Sequence, residues 1–261
     1  MRLFVATLSL CLALCLVGSA PVTVSAQPSP YNASLSMQLL HLSGAAYCGV
    51  QSVEDWTCSF CSEVPGFQPY GVEYNSTTDM LAFVGYLPST NSVIISFRGT
   101  SLTSILDWVE DLNFFAVSAI CPGCQVHEGF LAAYYSIRDA TVEYVHAATK
   151  AHPGAEVVIT GHSLGGALAF LAAVDLSINE GINMTTSYTF GQPRVGNSVF
   201  ADVWRQMFYE STTSFRVTHG LDPGQFWEGA RHTSGSCDVR EVEVWQWGLR
   251  CAGVAVSGRP M

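Results

Sequence analysis

Short apolar segments alternate with longer helix-like segments through the middle of the chain. The short segments are rich in β-branched and aromatic residues, as strands are, and lie at residues 81–87, 92–97, 156–160, 187–190 and 214–218. The longer segments have apolar residues at roughly helical spacing, or are apolar throughout, and lie at residues 129–149, 164–178 and 197–208. This alternation predicts an α/β fold with a mostly parallel central sheet and helices on both faces. In such sheets, reactive groups lie beyond the carboxyl ends of the strands.

The N-terminal segment has the pattern of a signal peptide. Arg2 is followed by an apolar run at residues 3–17 and by Val24-Ser25-Ala26, which is typical of a cleavage site. The alternative is an uncleaved membrane anchor, but the apolar run is short for a bilayer span, and no other segment is apolar and long enough. We therefore expect a signal peptide at residues 1–26 and a single secreted, extracellular domain at residues 27–261.

Composition and charge narrow the choice of partners. The chain is 49% hydrophobic and 12% charged, which favours a large buried core. Loss of Arg2 with the signal peptide would leave 10 of the 11 basic residues against 21 acidic ones, a net charge of −11. Few cations are available to neutralise phosphates, which argues against a nucleic-acid partner and against strong binding to anionic membranes. An uncharged ester or neutral lipid is the favoured partner.

The cysteines predict disulfides in an oxidising compartment. Two of the nine leave with the signal peptide, and the remaining seven are at positions 48, 58, 61, 121, 124, 237 and 251. Cys58/Cys61 and Cys121/Cys124 can each form a local bridge. The alternative is a zinc ribbon, in which roughly 15–20 residues separate the two Cys pairs. It is disfavoured because the pairs at 58/61 and 121/124 lie much farther apart. Seven is odd, so one thiol lacks a partner within the chain. Sequons at Asn32, Asn75 and Asn183 indicate a glycoprotein.

The most specific motif is the run Gly161-His162-Ser163-Leu164-Gly165. It follows the apolar strand at residues 156–160 and opens the helix at residues 164–178, which is the strand–turn–helix context of a nucleophile elbow. The two glycines allow the helix to pack close behind the turn, and the turn projects Ser163 toward a helix N-terminus that favours negative charge. The bland alternative is a glycine-rich turn with an idle serine.

The elbow and the blocks around it resemble the fungal-type class 3 lipases of the α/β-hydrolase superfamily. Blocks similar to those of the family occur in the family's order at residues 97–100, 126–130, 158–167, 189–197 and 216–223. The resemblance covers roughly residues 34–223. It implies a serine hydrolase that acts on carboxylic esters and needs neither a cofactor nor a metal.

Acyl transfer requires a nucleophile, a base, a group that orients the base and donors for the oxyanion. By the resemblance, Ser163 is the nucleophile, Leu164 and Thr100 are the oxyanion donors, and Asp222 orients the base. The alternative interpretations are an ordinary strand-end threonine at position 100 and a turn residue before proline at position 222.

Residues 101–108 resemble the short lid of these lipases. The apolar side chains within residues 102–108 are suited to cover the site or to meet a lipid surface. A core-facing first turn of a helix explains them equally well. Asp107 and Asp111 are expected to be structural, as are His127, His162 and His219, and Asp175 is expected to be a polar position on the elbow helix.

The sequence departs from the family after Asp222. The family's catalytic histidine follows the acid by several dozen residues, whereas the one histidine after Asp222 is His232, ten residues on, in a segment that is more typical of the approach to a late strand. His232 is therefore the available candidate for the base. Residues 248–261 have no clear strand or helix pattern, and the domain is atypical from about residue 224, for which a frameshifted or incomplete C-terminal part is one explanation. By the resemblance, Cys48 expects a partner near the family's C-terminus.

The function predicted from these residues is a secreted lipase-like ester hydrolase. A feruloyl-type esterase or a phospholipase would keep the mechanism and change the substrate. A secreted protein that uses the same scaffold for binding, without a catalytic histidine, is the alternative from another class.

Overall fold

The structure, a computed structural model, describes residues 31–99, 116–208 and 213–218, together with the backbone of 240–243 and 255–256. The helices are α1 (Ala33–Ala45), α2 (Val50–Glu54), α3 (Glu128–Tyr135), α4 (Arg138–Ala151), α5 (Leu164–Asn179) and α6 (Ser198–Phe208), with 3₁₀ turns at Cys61–Glu63 and Pro88–Thr90. The strands are β1 (Gln68–Asn75), β2 (Met80–Leu87), β3 (Ser92–Phe97), β4 (Ala116–Ser118), β5 (Gln125–His127), β6 (Glu156–His162), β7 (Thr186–Phe190), β8 (Thr213–Thr218), β9 (Arg240–Glu243) and β10 (Ala255–Val256).

Eight of these strands form one sheet in the order β1-β2-β3-β6-β7-β8-β9-β10. Within this sheet, β3, β6, β7, β8 and β9 pair in parallel, whereas β1, β2 and β10 join antiparallel. Strands β4 and β5 form a separate antiparallel pair. The predicted α/β class and mostly parallel sheet are therefore confirmed.

Alternating side chains of the strands supply two hydrophobic cores, one on each face of the sheet. Ala82, Val84 and Ile95 pack with α3 to α6, while Phe83 and Ile94 pack with α1 and α2. Successive strand residues point to opposite faces of the sheet, and both sets are apolar in these strands. Both faces therefore need a cover of helices.

One predicted helix is interrupted. The sequence predicts a continuous helix at residues 129–149, but α3 ends at Tyr135 and α4 begins at Arg138. Ile137 has φ −129° and ψ 0°, which lies outside the helical region, and its side chain is buried. The Ser136 carbonyl accepts a hydrogen bond from the Asn75 amide at 3.0 Å, which replaces a helical partner at the break. The predicted apolar face is confirmed, but the prediction of one continuous helix is wrong.

Both local cysteine pairs are disulfides, Cys58–Cys61 and Cys121–Cys124, as the spacing predicts. Cys48 forms no bridge with a cysteine in the described part of the chain, and burial raises the pKa of its thiol.

Residues 248–261 have no clear strand or helix pattern in the sequence, yet Ala255–Val256 pairs antiparallel with β9. Backbone pairing to an open sheet edge does not depend strongly on side-chain pattern, so the sequence carried little sign of it.

Among the residues that the structure describes, no helix is both long and apolar enough to cross a membrane.

Candidate active site

The carboxyl ends of four neighbouring strands lie level at one edge of the sheet. Phe97 of β3 pairs with Gly161 of β6, Gly161 pairs with Thr189 of β7, and Thr189 pairs with Arg216 of β8. The segments that follow these four residues therefore emerge side by side. This is the edge at which open α/β sheets place their reactive groups.

Ser163 forms a one-residue turn between β6 and α5. Its φ of 56° and ψ of −127° lie in a region that residues other than glycine rarely adopt. Such a conformation costs on the order of 1–3 kcal/mol and persists only where the surroundings enforce it. Here the Ser163 N–H donates to the Phe190 carbonyl at 2.8 Å, and the Ser163 carbonyl accepts from the Gly166 N–H at 2.9 Å. The turn is thus held from β7 on one side and from its own helix on the other.

Two glycines allow the helix to approach the sheet closely behind this turn. A Cβ on Gly161 would collide with the backbone of Gly165, and a Cβ on Gly165 would collide with the Phe97 carbonyl oxygen. No larger residue fits at either position without moving backbone. The close approach brings the end of β3 and the N-terminus of α5 together.

The side chain of Ser163 is enclosed, because the residue is only 7% exposed. Leu164 is the first residue of α5, where N–H groups have no partner within the helix and the helix dipole is positive. An anion that forms on an atom bonded to Ser163 would therefore develop beside a positive helix end.

The loop after β7 is fastened to β8. The Arg216 guanidinium donates two hydrogen bonds to the Gln192 carbonyl, at 2.9 and 2.7 Å, and the Gly191 N–H donates to the Val217 carbonyl at 2.9 Å. The Thr189 hydroxyl donates to the Gln192 side chain at 2.6 Å. Gln192 and Arg216 lie within the blocks at residues 189–197 and 216–223 that were identified from the sequence. Their residue types alone did not reveal that they anchor this loop.

Tyr47 was missed by the sequence analysis. Its hydroxyl lies 2.9 Å from His162 Nδ1 and 3.4 Å from the His162 carbonyl oxygen. Burial raises the pKa of Tyr47 to about 12, against the opposing effects of the nearby Gly99 backbone and of the Arg98 charge. No motif contains Tyr47, since its partners are distant in sequence.

Of the predicted site residues, the structure brings Ser163 and Leu164 together at the elbow. Thr100, Asp222 and His232 lie outside the described residues, as do residues 101–108. Thr100 directly follows Gly99 at the end of β3, while Asp222 and His232 belong to the connection between β8 and β9.

Two polar residues that were expected to be structural have defined contacts away from the elbow. His127 caps α3, because its Nδ1 accepts the Phe130 N–H at 3.4 Å. Asp175, expected as a polar position on the elbow helix, is fully buried there and accepts hydrogen bonds from Tyr134 and Arg138 at 2.7 Å each.

Comparisons with known proteins agree with this geometry. The Lipase (class 3) family model matches residues 94–223. A lipase of Rhizomucor miehei is 37% identical over 166 residues, which are 62% of this chain and 45% of the relative. A secreted mono- and diacylglycerol lipase of Fusarium solani is 36% identical over 169 residues, 63% of this chain and 49% of the relative. The chain thus spans about half the length of the curated relatives it matches.

Solved structures give the same result. A triacylglycerol lipase structure, described as having a serine protease triad at its catalytic centre, superposes with a TM-score of 0.66 at 31% identity and covers 81% of this chain and 79% of its own. The parallel sheet with a serine at a strand–turn–helix junction defines an α/β-hydrolase. Within that class, the chain belongs to the class 3 lipase family.

Proposed function

We propose that this protein hydrolyses the carboxylic esters of lipids through an acyl-enzyme formed on Ser163. The observation that carries the proposal is the strained turn that holds Ser163 at the N-terminus of α5. Relatives named as triacylglycerol lipases and as mono- and diacylglycerol lipases support a lipid ester as the substrate.

In the proposed reaction, a base takes the proton of the Ser163 hydroxyl while the oxygen attacks the ester carbonyl carbon. The carbonyl oxygen becomes an oxyanion, which accepts hydrogen bonds from the N–H groups of Leu164 and Thr100. The base returns its proton to the departing alcohol. Water then attacks the acyl-enzyme by the same steps and releases the fatty acid. Asp222 orients the base, and His232 is the candidate for it.

The nucleophile is tested with a soluble short-chain p-nitrophenyl ester and with an alkylphosphonate that labels reactive serines. Ser163→Ala should abolish labelling, since no other group at the turn supplies the attacking oxygen, and should lower turnover to the residual level that the rest of the site supports. Ser62→Ala is the matched control, because Ser62 is an exposed serine in the 3₁₀ turn Cys61–Glu63. Labelling that survives Ser163→Ala, or turnover in the variant equal to that of wild type, contradicts the proposal. A wild-type protein with neither turnover nor labelling also contradicts the proposal and favours the alternative, a non-catalytic protein on a hydrolase scaffold.

The base is tested with His232→Ala. Removal of one triad member can leave roughly 10³–10⁴-fold catalysis over water, so slow turnover does not identify the base. We expect slow turnover and slow phosphonate labelling from this chain, because the segment around His232 is more typical of the approach to a strand than of a loop that carries a catalytic base. Fast turnover that disappears in His232→Ala would overturn that expectation and make His232 the base.

Substrate class and location complete the proposal. Parallel assays with emulsified triacylglycerols, diacylglycerols, phospholipids and feruloyl esters distinguish a lipase from a phospholipase or a feruloyl-type esterase.

We also propose that the protein is secreted, because several relatives are named as secreted lipases. Intact mass of protein collected from the medium should give a chain that begins at Gln27. A chain that retains residues 1–26 contradicts cleavage.

A further inference from the structure

The hydroxyl of Tyr47 joins three chain segments that are far apart in sequence. Tyr47 lies in the turn that follows α1, where its own N–H donates to the Gly44 carbonyl at 3.0 Å. The hydroxyl reaches His162, 115 residues away, at the end of β6. It also lies against the backbone of Gly99, two residues beyond the end of β3.

The backbone just beyond β3 lies against the turn that carries Ser163. A Cβ on Gly99 would collide with the Tyr47 hydroxyl and would lie 2.5 Å from the His162 carbonyl oxygen. It would also lie 3.3 Å from the Gly165 nitrogen. Gly99 is therefore within contact distance of the residue before Ser163 and of the first turn of α5.

A tyrosine hydroxyl has one proton and two lone pairs, which suits this position. It bonds to His162, at either Nδ1 or the carbonyl oxygen, and contacts the Gly99 backbone. Because its pKa is about 12, the hydroxyl keeps its proton across the neutral range and remains both donor and acceptor. A phenylalanine would retain the ring and lose both the hydrogen bond to His162 and the hydroxyl contact with Gly99.

We infer that Tyr47 is a positioning residue, whose single hydroxyl fixes the end of β3 against the turn that carries Ser163. The inference rests on the proposed function, in which the residue after Gly99 and the N–H of Leu164 bind one oxyanion. Both donors must point to the same atom, and a displacement of about 1 Å can cost roughly 10²-fold in rate. Tyr47 acts through Gly99 and His162 and has no contact with the reacting atoms in this assignment.

The test compares Tyr47→Phe with Tyr70→Phe in the full chain. Tyr70 is a matched control, since it is also half-buried and its hydroxyl also lies beside a histidine, 2.8 Å from His152 Nε2. With a soluble p-nitrophenyl ester, Tyr47→Phe should lower kcat about 10- to 100-fold, as expected for a misplaced oxyanion donor, and change KM less than about twofold. Tyr70→Phe should leave kcat unchanged.

Amide hydrogen exchange gives a second readout that needs no turnover. The Gly99 amide should exchange faster in Tyr47→Phe, and it should not change in Tyr70→Phe. An unchanged Gly99 amide overturns the inference, as does a variant that loses thermal stability but keeps the kcat of wild type. If wild type neither hydrolyses esters nor labels at Ser163, the proposed function fails. In that case faster exchange upholds the tether as a structural contact, and its catalytic role is rejected.

Discussion

Asp175 shows how a single buried carboxylate organises the helices behind the elbow. It is 1% exposed and accepts hydrogen bonds from Tyr134, Arg138 and Asn179, at 2.7, 2.7 and 2.6 Å. Burial alone lowers the pKa of the Arg138 guanidinium, but its hydrogen bonds to Asp175 and Glu180 raise it overall. The cation is therefore held charged among α3, α4 and α5.

Asp175→Ala should lower the free energy of unfolding by about 3 kcal/mol. Loss of one partner of a buried pair leaves the other uncompensated, and the lower end of the range applies because Glu180 still pairs with Arg138 at 2.6 Å. Asp202→Ala is the control, since Asp202 pairs with Arg205 on the surface of α6 and such pairs contribute about 0–1 kcal/mol. Urea denaturation measures both variants. Similar losses in the two would contradict a buried role for Asp175.

His127 predicts a specific pH dependence of stability. Its Nδ1 caps α3 as an acceptor, so the cap requires neutral imidazole, and its ring stacks on Phe130 with centroids 4.2 Å apart. Burial lowers the pKa of His127, against the opposing charge of Glu128. A lowered folded-state pKa means that the unfolded chain takes up the proton first. The stabilisation is therefore complete above the unfolded pKa, about 6.5, and is lost as the pH falls through the folded value.

His127→Asn should keep a cap and remove this proton linkage. Urea denaturation of wild type and variant at a series of pH values from about 7.5 down to 5 should show a smaller loss of stability on acidification in the variant. Equal pH slopes in the two proteins would mean that protonation of His127 is not linked to unfolding.

At the scale of elements, the contact between α5 and β3 depends on the absence of a side chain at Gly165. Gly165→Ala should destabilise the protein by about 1–3 kcal/mol, because the added methyl group meets the backbone of β3 and cannot be accommodated by a rotamer change. Gly49→Ala is the control, since a Cβ there meets only the Ser52 hydroxyl oxygen at 3.8 Å. Thermal unfolding compares them. An unchanged melting temperature in Gly165→Ala would show that α5 moves away from β3 without cost.

The elements also show which patterns predict structure. Strands β2, β3 and β6 were predicted because burial on both faces leaves largely continuous apolar runs, and β7 and β8 because they are rich in β-branched and aromatic residues. Helix α1 has no comparable signal, since two of its buried positions are Ser36 and Ser43. The Ser43 hydroxyl bonds to the Leu39 carbonyl and to the Thr160 hydroxyl, at 2.9 and 2.8 Å, and only the folded chain supplies these partners.

The same distinction applies to the site. The elbow is local, so its glycines and Ser163 were evident from one pentapeptide in its context. Tyr47 and Arg216 act through partners distant in sequence, and no local pattern contains those contacts. The interruption between α3 and α4 was missed for a related reason, because it involves a hydrogen bond from Asn75 at the end of β1.

At the scale of the whole molecule, the net charge of −10 favours uncharged surfaces. The protein should bind less to vesicles with anionic lipid than to zwitterionic vesicles or a neutral oil emulsion at about 20 mM salt. The difference should shrink at about 200 mM, where the Debye length is below roughly 8 Å. Co-sedimentation measures the bound fraction. Preferential binding to the anionic vesicles would mean that a local basic surface outweighs the total charge.

The order of strands in the main sheet also bears on how the protein forms during synthesis. From β1 to β10, each strand of that sheet is added beside the one before it, and none is inserted between two earlier strands. A chain that emerges from the ribosome N-terminus first can therefore extend the sheet in one direction without reopening pairs already made. Each stage, however, exposes the unpaired edge of its newest strand until the next arrives. Ribosome pausing after β7 should accordingly favour aggregation, whereas pausing before β1 should not.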